Sequence, residues 1–168
     1  MTLRFDPARR RFLTGRTSQS VSDGPLLPPW LAPEKLAHCT ACSACVDVCP
    51  TGIVEMQHGR PALSFASGEC TFCGACAEAC PENLFDRERE ALPYRPQIAA
   101  HCLPRAGIDC QACRDACPQE AIRFPPRRGG PFLPQVTASL CTGCGACVAP
   151  CPVSAIALAP MAEETCDA

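Results

Sequence analysis

The sequence is short of the bulky apolar side chains from which protein cores are built. It contains 13 Leu, 5 Ile, 7 Val and 7 Phe, which is 32 of 168 residues, and aromatic residues make up only 5% of the chain. A fraction this low leaves too little material for a conventional hydrophobic core. Something other than apolar packing must therefore contribute to holding the chain together.

Other features are also missing. No apolar run approaches the ~20 residues of a membrane-spanning helix, and a net charge of −2 argues against a basic nucleic-acid footprint. The run Arg9, Arg10, Arg11, Phe12, Leu13 resembles a twin-arginine export signal. Such a signal needs an apolar stretch of ~7–15 residues, whereas polar residues follow here. We therefore predict a cytoplasmic protein, and structural disulfides are rare in that compartment.

Cysteine, in contrast, is abundant, with 17 residues in the chain. Sixteen of them form four motifs that each end in Cys-Pro. Three motifs have the spacing C-x2-C-x2-C-x3-C-P: Cys39, Cys42, Cys45 and Cys49; Cys70, Cys73, Cys76 and Cys80; Cys141, Cys144, Cys147 and Cys151. The third motif along the chain has a first gap of seven residues: Cys102, Cys110, Cys113 and Cys117.

This spacing is that of the bacterial-type [4Fe-4S] run, in which the fourth cysteine ligates the other cluster of a pair. Pairing the motifs in order predicts four clusters with crossed ligands. The predicted sets are A (Cys39, Cys42, Cys45, Cys80), B (Cys70, Cys73, Cys76, Cys49), C (Cys102, Cys110, Cys113, Cys151) and D (Cys141, Cys144, Cys147, Cys117). Zinc sites use widely separated C-x2-C pairs, and a disulfide framework requires an oxidising compartment, so both alternatives fit poorly.

Some assignments stay open in the sequence. The gap in the third motif is compatible with a tolerated insertion that keeps Cys102 as a ligand, or with a three-iron or labile cluster; we favour four irons. Cys166 lies outside every motif and is interpreted as a bystander thiol. His38 and His101 each precede a first cysteine, and we interpret them as neighbours because four cysteines are already available.

The repeats predict the organisation of the chain and an α+β fold with short strands and short helices. We expect a flexible N-terminal arm at 1–33, a dicluster ferredoxin lobe at 34–88 and a linker at 89–98. A second dicluster lobe at 99–160 and a tail at 161–168 follow. Strand candidates lie at 62–65 and 135–137. If every cluster iron carries a cysteine thiolate, no iron is open to substrate, which favours an electron-handling protein over an enzyme.

The chain resembles the NapF family, the ferredoxin-type accessory proteins of periplasmic nitrate reductase systems. The cysteine runs alone would fit many polyferredoxins. Three further features restrict the resemblance to the NapF family: the widened motif Cys102–Cys117, the N-terminal stretch from Ala8 to Arg16 and the segment Pro28–Trp30.

The resemblance implies a cytoplasmic protein without a membrane span. Its implied partner is the catalytic subunit of the nitrate reductase, NapA, and its implied role is the maturation of NapA before export, by cluster assembly or redox conditioning. The alternative is a polyferredoxin that relays electrons to a reductase. Because fold does not fix function, this expectation is weaker than the cluster chemistry.

Overall fold

The computed structural model describes residues 24–161, and its regular elements are short. Three one-turn α-helices are α1 (Ala44–Asp47), α2 (Ala75–Glu78) and α3 (Ala112–Asp115), and two 3-10 helices span Pro33–His38 and Leu103–Ala106. The strands are β1 (Val54–Gln57), β2 (Arg60–Leu63), β3 (Tyr94–Ile98), β4 (Ile122–Arg123), β5 (Gln135–Val136) and β6 (Ile156–Pro160). This mixture is consistent with the expected α+β class.

Each α-helix starts inside a cysteine motif. The residue before α1, Ser43, and the residue before α2, Gly74, are left-handed, with φ of 64° and 82°. This conformation reverses the loop so that the third cysteine of the motif enters the helix. Each helix stops after one turn because the motif ends in Cys-Pro, and proline has no N–H with which to continue it.

The strands form three antiparallel pairs. β1 and β2 form a hairpin, β4 pairs with β5, and β3 pairs with β6. The turn between β1 and β2 is His58-Gly59, with φ of 51° and 74°, and two positive φ values are what a type I′ hairpin turn requires. The strand candidates at 62–65 and 135–137 overlap β2 and β5.

Strand β3 lies inside the segment 89–98 that the sequence assigned to a linker. Its register with β6 places Tyr94 opposite Pro160 and Ile98 opposite Ile156. Tyr94 and Pro96 are buried while Gln97 is exposed, so one face of β3 packs inward as in any half-buried strand. The latter half of the predicted linker is therefore part of a sheet.

The end of the predicted flexible arm is packed against the body of the protein. The N–H of Trp30 donates to the carbonyl of Ala91, and the N–H of Asp86 donates to the carbonyl of Trp30. Leu31 is 5% exposed and forms a bridge with Phe85. The expectation of a flexible arm is wrong for residues 24–33, because burial of these apolar residues and their backbone hydrogen bonds hold the segment in place. The rest of the arm lies outside the described residues, as does most of the tail.

The buried residues form two clusters, and cysteine is part of both. One contains Ile53, Leu92 and Tyr94 together with Cys70, and the other joins Ile122 and Ile156 to Cys113 and Cys147. Sulfur thus occupies positions that a larger apolar side chain fills in an ordinary core. No helix among residues 24–161 is long and apolar enough to cross a membrane.

Candidate metal centres

The sixteen motif cysteines lie within the described residues, and all are free thiols. The structure brings them together as four groups of four. In three of these groups the thiols line a common cavity. One cavity is lined by the cysteines of set A, a second by those of set B and a third by those of set D.

In each cavity three cysteines come from one motif and the fourth from its partner. Set A combines the first motif with Cys80, and set B combines the second motif with Cys49. Set D combines the fourth motif with Cys117, and β3 and β6 contribute Pro96 and Leu158 to its wall.

Set C contains two buried thiols, those of Cys102 and Cys113. Burial, together with the neighbouring charges of Cys102, Cys110 and Cys151, raises the pKa of Cys113 to about 11. The seven-residue gap folds as the 3-10 helix Leu103–Ala106, which ends at Gly107 in the left-handed conformation with φ 86°. The insertion is thus an ordered turn that leaves Cys102 beside the other three thiols.

The four sets lie in a continuous series. The charge of Cys45 in set A raises the pKa of Cys76 in set B. The N–H of Cys70 in set B donates to the carbonyl of Cys144 in set D at 2.8 Å. Cys147 of set D and Cys113 of set C belong to the same buried cluster. The order along this series is A, B, D, C.

Burial controls the protonation of the central thiols. It raises the pKa of Cys76 and of Cys147 to about 12, with neighbouring thiolates adding to the effect. Since iron binds the thiolate, loading of these sites must release protons. Four thiols that line one space are the donor set that an iron–sulfur cluster requires.

Backbone N–H groups point at several of the sulfurs. The N–H of Ala121 donates to Sγ of Cys117 at 3.4 Å, and the N–H of Ala155 donates to Sγ of Cys151 at 3.2 Å. Phe72 donates in the same way to Cys70 at 3.4 Å. For Cys49, burial acts to raise the pKa, but hydrogen bonds from Thr51 and from the backbone that follows outweigh it and lower the pKa. Such bonds stabilise thiolate charge and are a lever on cluster potential.

Residues outside the motifs also touch the cysteine loops, and the sequence reasoning missed them. The guanidinium of Arg87 lies against Gly74, and the ring of Phe65 lies against Gly145. Arg87 is stacked 4.8 Å from the ring centroid of Trp30, whose ring meets that of Phe72 edge to face at 6.4 Å. Gly74 and Gly145 occupy equivalent positions in the second and fourth motifs. These glycines were the available sequence signal that a neighbouring side chain lies close to both loops.

The histidines that precede two motifs are not gathered into the cavities. His38 and His101 are exposed, and neither lines a cavity occupied by a cysteine set. Among residues 24–161, no three or more His, Cys, Asp or Glu are placed to hold a single metal ion. The cysteines of each set instead surround a larger space.

Comparison with known proteins agrees with this geometry. A family model described as "4Fe-4S dicluster domain" matches twice, at residues 38–84 and 108–155. The ferredoxin-type protein NapF of Escherichia coli strain K12 is 43% identical over 158 residues, covering 92% of this chain and 95% of the relative. NapF of Haemophilus influenzae is 42% identical over 89% of this chain and 92% of the relative.

The chain belongs to the NapF family. The resemblance given by the widened third motif is thereby confirmed, and the chain is a ferredoxin-type 4Fe-4S protein. The chain is also 31% identical, over 81% of its length and 70% of the relative, to the methylamine utilization ferredoxin-type protein MauM of Paracoccus denitrificans. The second domain match begins at residue 108, after Cys102, so the general dicluster pattern starts only past the insertion of this motif.

Proposed function

We propose that the sixteen motif cysteines bind four [4Fe-4S] clusters with crossed ligation, as sets A to D. The observation that carries this proposal is the composition of the three cavities, each lined by three thiols of one motif and the last thiol of its partner. Set C is assigned by analogy and by the mutual proximity of its four thiols. A cluster bound by four thiolates takes up and releases an electron.

Within this proposal the protein supplies the ligands, the N–H donors to sulfur and the shielding from water. It offers no side chain arranged for acid–base or nucleophilic chemistry in the described cavities, whose polar lining is chiefly cysteine. We therefore place the protein among electron and iron–sulfur handling proteins rather than enzymes.

We further propose a role in the cytoplasm in the maturation of NapA, the catalytic subunit of periplasmic nitrate reductase, before its export. Support comes from the similarity to NapF proteins over nearly the whole chain. The maturation step would be cluster assembly in NapA or the adjustment of its redox state.

Deletion of the gene tests the maturation role. We expect lower nitrate reductase activity and lower iron content in purified NapA, with NapA synthesis unchanged, and recovery on expression of this chain in the cytoplasm. Unchanged NapA activity and iron in the deletion strain would remove the maturation role while leaving the cluster assignment intact.

A relay of electrons to a reductase is the second candidate, and the series of sets A, B, D, C favours it. In each neighbouring pair of sets, a cysteine of one set lies close to a cysteine of the other. An electron relay requires closely spaced centres of this kind. Mixing the anaerobically reduced protein with NapA in a stopped-flow instrument separates the two roles. Oxidation at the rate of nitrate turnover supports the relay, and oxidation far slower than turnover contradicts it.

A further inference from the structure

The four cysteine sets differ in how far the protein covers them. Sets B and C each hold two buried thiols, and set D holds one, Cys147. Set A holds none; its Cys42 is exposed, as is Cys73 of set B. Two preceding loop residues, Thr40 and Ala41, are exposed as well. Set A is the only one of the four sets without a buried thiol, and this leaves it the most open to solvent.

Two of the covered loops, those of the second and fourth motifs, carry glycine at the point of contact, whereas the third motif has Gln111 at this position. A Cβ at Gly74 would overlap the guanidinium of Arg87, and one at Gly145 would overlap the ring of Phe65. Glycine at these positions is required by the close approach of a neighbour as well as by φ values of +82°.

The first motif has a side chain at the equivalent position. Ser43 adopts φ of 64° just before α1, as Gly74 does before α2. Ser43 is half-buried, whereas Gly74 and Gly145 are buried beneath Arg87 and Phe65. The sequence difference between serine and glycine thus follows the difference in cover.

From these observations we infer that set A is the exchange site of the protein, the place at which iron chelators and the thiolates of an acceptor protein reach a cluster first. This inference rests on the proposed four-cluster function and deepens it. During exchange each incoming thiolate replaces one cysteine thiolate on iron, so equal numbers of Fe–S bonds form and break and no electron is transferred. The widened third motif does not fit this role, because Cys102 and Cys113 are buried.

Timed alkylation of the full, anaerobically prepared protein tests the inference. The protein is incubated with excess 2,2′-bipyridyl and dithionite, samples are alkylated with iodoacetamide at intervals, and each cysteine is scored by peptide mass spectrometry. We expect Cys39, Cys42, Cys45 and Cys80 to become alkylated together, severalfold faster than the cysteines of sets B, C and D.

The alternative outcomes are distinct. Earlier release of set B, C or D, or simultaneous release of all sets, contradicts the assignment of set A as the exchange site but leaves the proposal of four clusters intact. Release of Cys49 in place of Cys80 with the first motif overturns the crossed ligation and with it set A itself. Alkylation of all sixteen cysteines before any chelator is added overturns both the inference and the proposed clusters.

A variant tests whether coverage by neighbouring side chains determines the order in which the cysteine sets are released. Arg87→Ala removes the group that lies over Gly74, so we expect release of set B to accelerate severalfold toward that of set A. Arg87 is exposed, and its contacts are the stacking on Trp30 at 4.8 Å, the approach to Gly74 and a surface ion pair with Glu78 at 3.3 Å, so the fold should tolerate the change. Arg128→Ala, an exposed arginine of the turn between β4 and β5, is the matched control and should leave all rates unchanged. An unaltered set B rate in Arg87→Ala would contradict the link between cover and exchange.

Discussion

The backbone N–H of Cys70 donates a 2.8 Å hydrogen bond to the carbonyl oxygen of Cys144. These residues are proposed ligands in sets B and D, so the bond joins the first pair of motifs to the second at the metal centres themselves. Next to it, Phe65 from the segment after β2 lies on Gly145 of the fourth motif. The two halves of the chain therefore contact each other at the cysteine loops of the second and fourth motifs.

Gly145→Ala should weaken this junction. The new methyl group would overlap the buried ring of Phe65, and overpacking of this kind costs about 1–3 kcal/mol in stability. We expect a lower Tm and partial loss of iron from set D, measured under anaerobic conditions by visible absorbance during heating and by iron analysis.

The matched control is Gly52→Ala. Gly52 also has positive φ, +64°, but a methyl group there meets nothing within 4 Å, so only the backbone cost of about 1 kcal/mol remains. Equal losses in the two variants would show that contact with Phe65 does not matter.

Crossed ligation makes opposite predictions for two neighbouring cysteines. Cys80→Ser should release the first three thiols of the first motif to alkylation while the second motif stays protected. Cys49→Ser should release Cys70, Cys73 and Cys76 while the first motif stays protected. Peptide mass spectrometry after brief iodoacetamide treatment reads both patterns, with Cys166→Ser, outside every motif, as the control. Exposure of the mutated motif's own cysteines would instead mean that each motif holds its own cluster.

Arg105→Gln should lower the reduction potential of the cluster at set C. Burial raises the pKa of Cys102, but the positive charge of Arg105 acts in the opposite direction. The same charge favours the reduced, more negative cluster. An interaction of about 1 kcal/mol between partly exposed charges corresponds to a few tens of millivolts.

Redox titration followed by electron paramagnetic resonance measures this change. One of the four potentials should move down while the other three stay. Arg128→Gln removes an equal charge from an exposed turn, and it should move none of them. An unchanged set of potentials in Arg105→Gln would show that its charge is screened.

Loss of the cluster at set B should change the fluorescence of Trp30, the only tryptophan in the chain. Its ring packs edge to face on Phe72, between Cys70 and Cys73. Once these cysteines are released the loop loses its anchor, so we expect stronger and red-shifted emission after chelation. Cys49→Ser should show this emission before any chelator is added and Cys80→Ser should not; identical spectra from the two variants would contradict the assignment.

The sequence predicted the features that depend on local spacing. The spacing of the cysteine motifs indicated the sets A, B and D that line the three cavities. Of the six strands in residues 24–161, β2 and β5 were also indicated, as the strand candidates at 62–65 and 135–137. In each case the residues that decide the structure lie close together along the chain.

Features that depend on distant partners escaped the sequence reasoning. β3 lies in a charged, proline-containing segment and acquires its partner only from β6, some 60 residues later. The proline and charged residues of this segment favoured a linker. Likewise, the docking of Trp30 depends on Ala91 and Asp86, and no local pattern around Pro28 and Pro29 indicates those contacts.

The pairing of β3 with β6 has a consequence for synthesis on the ribosome. The first strand of the second half can find its partner only after residues 156–160 have emerged. The first two motifs and their hairpin are complete at Cys80, 76 residues before Ile156. We therefore expect nascent chains to bind metal in two stages, and the second stage to be completed only when β6 has been translated and has paired with β3.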